Sequence, residues 1–412
     1  MAKIKAFKGV RPSPEYFGEV VSPPYDVLNS EEARQQVKGK PYSFLHVVKP
    51  EVDLPADLDI YGEKVYQKGK ENLYKLIKDD ILIQDDKPCY YLYQLIMDRV
   101  NQIGLVAVAS VEDYENDIIK KHEHTRAVKE ADRIKHVDTL NANTGPVFLT
   151  YPPRKDMNVL VAELTQDTPL YNYETEDGIK HIIWKIDQED IVARITQIFN
   201  EIKFLYVADG HHRSASATKV GQQRRAANPD HTGEEEYNFF LSVIFPANQL
   251  YIMDYNRVVK DLNGLTAKDF IDKVEKKFVV EKQIMEYYPE GQHHFGMYID
   301  GTWYKLTARH GSFPEADPVL SLDVSVLQNN LLSPILGIGD PRHDKRIDFV
   351  GGIRGLKELS RRIDTGEAVA FSMYPTSIKQ LMEIADAGEV MPPKSTWFEP
   401  KLRSGVVVHL LD

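Results

Sequence analysis

Apolar residues recur along this chain in two rhythms, one of about 2 residues and one of about 3.6, and the changes of rhythm outline its elements. Tyr90 to Met97 and Ile103 to Val111 are strand-like runs on either side of Asp98 to Gln102, the pattern of a hairpin. Pro146 to Tyr151, Ile182 to Ile186 and Phe204 to Ala208 read as short strands, the last of them apolar throughout, as in a strand covered on both faces. Ile60 to Ile83 carries Val65, Leu73, Leu76 and Ile77 at helical spacing, and Ile118 to Val137 and Ser214 to Ala227 predict two further helices. Asn29-Ser30-Glu31-Glu32 is a helix start, with a capping residue ahead of acidic groups. Ser43 to Val48 predicts a strand, and Phe239 to Phe245 with Leu250 to Asp254 a second hairpin. Further on, Ala267 to Phe278 predicts a helix, His294 to Ile299 and Thr302 to Leu306 a hairpin around Asp300-Gly301, and Gly405 to Leu411 a late strand.

Changes of pattern divide the chain into three stretches: an N-terminal α/β segment over 1–88, a mixed α/β core over 89–260 and an α+β segment over 261–412, giving an α+β protein overall. A length of 412 residues fits two or three domains at roughly 100–200 residues each. Hydrophobic residues at 42% and charged residues at 27% describe a chain able to build cores. The formal net charge of −11 argues against a broad nucleic-acid or anionic-lipid surface, and no lysine-rich stretch or helix-turn-helix pattern offsets it. No apolar run approaches the ~18–20 residues of a membrane span, and Met1 to Phe7 lacks a signal peptide's apolar stretch, so the expected address is the cytoplasm. The single cysteine, Cys89, excludes a disulfide framework and reads as a packing residue.

Candidate chemistry concentrates where the apolar run Phe204 to Ala208 meets a helix, at Asp209-Gly210-His211-His212-Arg213. The first turn of a helix offers unpaired N–H groups and partial positive charge, and a glycine there lets the backbone approach a ligand closely. Such a turn binds phosphate, and imidazole and guanidinium groups add charge-assisted donors. Gly210, His211, Arg213 and Ser214 are therefore candidate phosphate or nucleotide contacts, and Asp209 a ligand for Mg²⁺ or an orienter of a histidine. The small residues Ser214 to Ala217 allow the helix to pack closely on a sheet.

A second cluster, Lys121-His122-Glu123-His124-Thr125-Arg126, continues to Lys129-Glu130 and Asp132-Arg133. On a helix, His122, Arg126, Lys129 and Arg133 share one face with Glu123 and Glu130 beside it. A carboxylate next to a basic stripe suits general-base work beside a phosphate, while the same pattern also describes a solvated helix laced with ion pairs. On a helix His122 and His124 point to different faces, which disfavours joint zinc ligation. Weaker candidates are Tyr25 and Asp26 after the rigid Pro23-Pro24, Arg257, Arg354 within Gly351 to Gly355, and Lys394 and Thr396 after Pro392-Pro393. His46 reads as a satisfied core histidine.

Several of these motifs together resemble a conserved family known as domain of unknown function 1015. They are Val21 to Val27, Lys121 to Arg126 with Lys129-Glu130 and Asp132-Arg133, Asp209 to Arg213, Phe349 to Gly355, and Met391 to Lys401. The middle segment is similar to the ParB/sulfiredoxin-like superfamily, whose members hold nucleotide phosphates at such a strand–helix turn. Within it the chain resembles the free-serine kinases, which carry an Asp-Gly-(His/Val)-His-Arg loop and an upstream His-Glu pair. That resemblance implies a kinase in which Glu123 is the catalytic base, with His122, Asp209 and His212 beside it. L-serine is then the acceptor, ATP, ADP or pyrophosphate the donor, Mg²⁺ the cofactor, and Arg126 and Lys121 further phosphate contacts. About fifty residues more than in those kinases separate the two motifs. With no Walker A sequence and no kinase glycine-rich loop, a standard P-loop or protein-kinase reading is set aside. A non-catalytic nucleotide-binding switch of ParB-like type and a phosphoester hydrolase are the alternatives.

Overall fold

A computed structural model describes residues 1–412 and shows an α+β protein of two compact units, one of Met1–Leu250 with Pro400–Asp412 and one of Tyr251–Glu399. No helix is long and apolar enough to cross a membrane.

The first unit is organised by a nine-stranded mixed sheet. Its strands are β1 (Ile4–Lys5), β2 (Tyr90–Met97), β3 (Val100–Ser110), β4 (Ile119–Lys120), β5 (Val147–Tyr151), β6 (Tyr171–Glu174), β7 (Lys180–Ile186), β8 (Leu205–Asp209) and β9 (Phe239–Pro246). The order is β4-β8-β5-β9-β3-β2-β7-β6, with β1 alongside β3. β4 runs parallel to β8 and β5 parallel to β9, and the remaining pairs are antiparallel. β9, Phe239 to Pro246, is buried at every position, as expected of a strand covered on both faces. The helices that matter for the site are α1 (Glu63–Lys78), α2 (Ala127–Leu140) and α5 (His211–Ala227). Two more, α3 (Lys155–Leu164) and α4 (Glu189–Phe199), join the core through Met157, Leu160, Ile195 and Phe199. The buried positions of α5 are mostly small (Ser214, Ser216, Ala217, Gly221), and a Cβ on Gly221 would lie 2.7 Å from the Tyr237 carbonyl, so the helix packs closely, as its sequence suggested.

The second unit carries a six-stranded antiparallel sheet in the order Phe278–Gln283, Thr302–Ala308, His294–Ile299, Val369–Met373, Tyr255–Val259 and Ile347–Gly351. Helix Leu356–Asp364 buries Leu356 and Leu359 with Val258, Tyr298 and Trp303.

The division differs from the three expected stretches. The first 88 residues share the sheet and core of the next segment: β1 pairs with β3, and the core around Leu73 and Leu76 includes Leu140, Ala142 and Val408. The last residues, 400–412, return to the first unit through paired backbone hydrogen bonds of Ser404 with Ser22 and Val408 with Val10. Only Val408 and the strand His409–Leu410 pair within the expected late strand.

Several element expectations are corrected. Ser43 to Val48 is not a strand: Leu45–Val48 is a helical turn, stabilised by burial of Phe44, Leu45, Val47 and Val48. So short an apolar run has no period that distinguishes the two. Ile118 to Val137 is not one helix, because Ile119–Lys120 pairs with β8 and α2 starts only at Ala127. The run Leu250 to Asp254 pairs with Trp397–Glu399 rather than with β9. α5 starts at His211, three residues before the expected start, and the helix beginning at Ala267 ends at Val274, giving way to a strand from Phe278.

Candidate active site

The turn after β8 is shaped by glycine. Gly210 has φ 96°, a region in which a side chain costs roughly 1–2 kcal/mol, and its carbonyl accepts from the amides of Arg213 (2.9 Å) and Ser214 (3.0 Å). A Cβ here would lie 3.2 Å from Arg213 Nε, so the missing side chain also lets the guanidinium fold back over the turn. With Arg213 and Ser214 bonded back to Gly210, the amides of His211 and His212 are the first-turn donors with no carbonyl of their own helix to reach.

Three other segments converge on this turn. Pairing of β4 with β8 carries the chain beyond Lys120 alongside it and delivers His122 and Glu123. The His122 ring meets that of His211 edge-on, at 4.4 Å between centroids, and Glu123 Oε2 lies 3.7 Å from His211 Nδ1. The segment after Pro23-Pro24 brings Asp26 Oδ2 to 3.7 Å from Arg213 Nη2, while Arg213 Nη1 donates to the Pro146 carbonyl. The Tyr25 ring lies under the Arg133 guanidinium at 4.2 Å, and burial pushes its hydroxyl up to about 12. From the C-terminal segment comes Lys401, whose Nζ is 3.3 Å from Asp209 Oδ2, while Asp209 Oδ1 accepts from the Gly210 amide at 2.9 Å.

The electrostatics separate neutral from charged groups. Burial pushes the His122 imidazole down to about 4 despite the nearby Asp209. Burial and the His122 ring hold His211 well below its usual value, and burial with Arg126 and Lys129 lowers His212. All three rings are therefore uncharged at neutral pH, and the Glu123–His211 approach is a contact rather than an ion pair. Burial pushes the Asp209 carboxyl up, but Lys401 and Arg213 outweigh it and hold the group well below the usual carboxylate range. Positive charge at the turn thus comes from Arg213 and Lys401, with Arg126 and Lys129 close enough to act on His212.

Four polar atoms of this small region, His122 Nδ1, His211 Nε2, His212 Nδ1 and Arg213 Nε, are buried without a hydrogen-bond partner. An unsatisfied buried polar group costs roughly 1–3 kcal/mol, and such clusters mark places where a ligand or water completes the bonding. Next to them lies a cavity of about 240 Å³ whose walls include Tyr25, Asp26, Lys49, Tyr61, Lys129 and Arg133.

The expected site residues divide accordingly. His122, Glu123, Asp209, Gly210, His211, His212 and Arg213 come together, with Tyr25 and Asp26 beside them. Arg126 and Lys129 approach His212, although the basic stripe expected from one continuous helix does not exist, since residues 121–126 are not helical. His122 is buried and His124 exposed, so the pair does not converge on a metal. Lys121 turns away, donating to the Tyr114 carbonyl at 3.2 Å and lying over the Tyr114 ring. The Ser214 hydroxyl bonds back to the His211 carbonyl at 3.1 Å, which leaves it facing its own helix. His46 is held between Asp53 Oδ1 (2.8 Å) and the Lys40 carbonyl. In the second unit, Arg257 donates to the carbonyls of Tyr255 and Lys394, Lys394 Nζ lies over the Tyr255 ring, and Arg354 is exposed. Thr396 is half-buried there. Lys401 was missed as a site residue: its contact with Asp209 spans 192 positions, which no local period can reveal.

Asp209 was also the expected Mg²⁺ ligand. Both its oxygens are engaged, one by an amide and one by an ammonium, and nowhere do three or more His, Cys, Asp or Glu side chains gather into a cage that would hold a metal without phosphates. These residues do not fit a protein-held Mg²⁺.

The fold and site define an α+β protein with a positively charged strand–glycine–helix turn. The chain belongs to the family described as Protein of unknown function (DUF1015), whose model matches residues 4–325. Among solved structures it is similar to a free serine kinase in complex with AMP, at 15% identity and a TM-score of 0.35 over 72% of this chain and 86% of that one. SbnI with C-terminal truncation from Staphylococcus aureus is similar at 12% identity and a TM-score of 0.38, over 72% and 84%. A conserved hypothetical protein from Pyrococcus furiosus is similar at 14% identity and a TM-score of 0.34, over 72% and 90%. No curated protein matches the chain.

Proposed function

We propose that the turn Asp209 to Arg213 binds the phosphates of a nucleotide or of pyrophosphate, and that the protein transfers a phosphoryl group to a small hydroxyl substrate. The observation that carries this is the cluster of four buried, unpartnered polar atoms around one helix N-terminus, beside an arginine and a lysine. Neutral imidazoles and a guanidinium are donors for phosphate oxygens, and phosphoryl transfer needs mainly position and charge.

Glu123 is the group in this reading that takes the proton of the acceptor hydroxyl. Its carboxylate is half-exposed, so an acceptor can reach it, and it lies beside His211, so the proton leaves close to where the phosphoryl group is held. His211, His212, Arg213 and the helix N-terminus hold the phosphates. Asp26 keeps Arg213 turned toward the loop, and His122 packs the His211 ring in place. Free L-serine is the acceptor favoured by the motifs shared with the free-serine kinases, and O-phosphoserine the product.

Pure protein incubated with L-serine and Mg²⁺, with ATP, ADP or pyrophosphate offered separately, tests this by mass spectrometry. O-phosphoserine should form from one donor and disappear in Glu123→Gln, while that variant still binds nucleotide. Nucleotide binding without product from any donor would favour the binding switch. Release of phosphate with no dependence on serine would favour the hydrolase.

A further inference from the structure

We infer that the cavity beside the Asp209 to Arg213 turn seats the nucleoside of the phosphoryl donor, which makes the donor a nucleotide rather than pyrophosphate. The inference rests on the reading of that turn as a phosphate site.

Two parts of the first unit build the cavity. Lys129, Asp132, Arg133 and His136 recur at the spacing that puts side chains on one face of a helix, and this face of α2 forms one wall. The other walls come from within residues 25–30, 48–51 and 60–66 of the N-terminal stretch. The volume of about 240 Å³ far exceeds the ~10–15 Å³ that one water needs, and approaches the roughly 300–1,000 Å³ of small-molecule pockets.

Position decides which part of a ligand enters. In phosphoryl transfer the acceptor oxygen bonds to phosphorus from one side while the bond to the leaving oxygen breaks on the other. The acceptor's proton passes to the base. Glu123, the base of the proposed reaction, lies against His211. Asp26 and Lys129, both in the cavity wall, act instead on His212, and Asp26 also pairs with Arg213. Successive residues of a helix point about 100° apart, so acceptor and cavity meet the turn from different sides. The leaving half of the donor then runs toward the cavity.

The lining suits a group that is flat, hydroxylated and uncharged. Carboxylates of Asp26, Glu51 and Asp132 balance the cations of Lys49, Lys129 and Arg133, which disfavours a further phosphate. Lys49 Nζ is 3.1 Å from Glu51 Oε1, and Arg133 Nη2 is 2.8 Å from Asp132 Oδ2. Both contacts of the buried Glu51 carboxylate, with Ser30 and Lys49, use Oε1, and Oε2 is an acceptor for a ribose hydroxyl. Ile60 and Tyr61 stand in the wall 40% and 37% exposed, and the face of a base would cover them.

The test is calorimetric titration of the full chain with ADP and with pyrophosphate, both in Mg²⁺. The proteins compared are wild type, Tyr61→Ala, Ile60→Ala and Arg213→Ala, with melting curves reporting folding. Wild type should bind ADP at least ~10-fold more tightly than pyrophosphate. Tyr61→Ala should weaken ADP by ~5-fold or more, as when base stacking is lost, and change pyrophosphate by less than ~2-fold. Ile60→Ala should act in the same direction, and carries the comparison if Tyr61→Ala does not fold. Equal affinity of wild type for the two probes, or equal loss of both in Tyr61→Ala, would overturn the inference. So would unchanged ADP affinity in both wall variants with a raised KM for serine, which would make the cavity the acceptor's seat. Wild type that binds neither probe, or Arg213→Ala that binds both as wild type does, would instead overturn the phosphate-site reading, and the nucleoside seat with it.

Discussion

The protein contains two turns of the same construction, a strand running through glycine into a helix with an arginine close by. In the first unit β8 leads through Gly210 into α5, and in the second Ile347–Gly351 leads through Gly352-Ile353-Arg354-Gly355 into Leu356–Asp364. Both place a glycine at positive φ on the helix cap, 96° for Gly210 and 68° for Gly355. Their surroundings differ. Arg213 is 12% exposed and pairs with Asp26, His211 is buried against His122, and Lys401 reaches Asp209. Arg354 and its neighbour Ile353 are exposed, and Gly352 is required because a Cβ there would lie 2.1 Å from Asp254 Oδ1. In the proposed reading a glycine before a helix makes an anion site only when other segments bring charge and unsatisfied donors to it, and at the second turn the glycine serves close packing on Asp254.

The largest effect should separate the two arginines. Arg213→Ala removes the guanidinium and leaves Asp26 without it, and should weaken ADP or pyrophosphate binding by roughly 10–100-fold. Arg354→Ala should leave that affinity unchanged. Equal losses from both would remove the distinction.

Next in size is an opposite response of the two units to pH. Burial depresses the His122 imidazole to about 4 from 6.5. The unfolded chain therefore binds the extra proton first, and the first unit loses up to ~3 kcal/mol from this group as pH falls from 6.5 toward 4. His136 and His181, each pushed down to about 3 by burial, act in the same direction. In the second unit burial raises Asp323 to about 7, so that contribution is present at low pH and lost as pH rises from 4 to 7. Hydrogen exchange at pH 7.5 and 5, corrected for the intrinsic rate, should show α5 less protected at pH 5 and the helix Asp323–Leu327, which Asp323 starts, better protected. A common direction in both units would contradict this.

The glycines should differ in kind more than in size. Gly210→Ala and Gly355→Ala each place a side chain at positive φ and should cost roughly 1–2 kcal/mol in urea unfolding, but only Gly210→Ala should also reduce phosphate affinity. Smallest of all, Arg354→Ala should change stability by no more than ~0.5 kcal/mol, as for an exposed side chain without a structural task.

The contrast also shows what a sequence makes legible. The hairpin β2–β3, strands β5, β7 and β8 and the body of α5 were readable because each is a run long enough to show its period. The glycine turn was readable because Asp209 to Arg213 concentrates ionisable residues at a change of rhythm. Where periods are too short the reading fails, as at Ser43 to Val48. It also fails where a charged run looks helical, as at Lys121 to Arg126, whose path is set by the pairing of Ile119 and Lys120 with Leu205 and Tyr206. The role of Asp26 was only suggested by its rigid prolines, and the contact of Lys401 was hidden, because both depend on chain crossings between distant segments.

The most direct test is a crystal structure of the full chain with ADP. Phosphate oxygens should lie within ~2.7–3.2 Å of donors at the Gly210 turn and satisfy the polar atoms of His211 and Arg213 that lack partners in the free protein. Phosphates bound at the Gly352–Gly355 turn, or anywhere that leaves those atoms unpaired, would contradict the account.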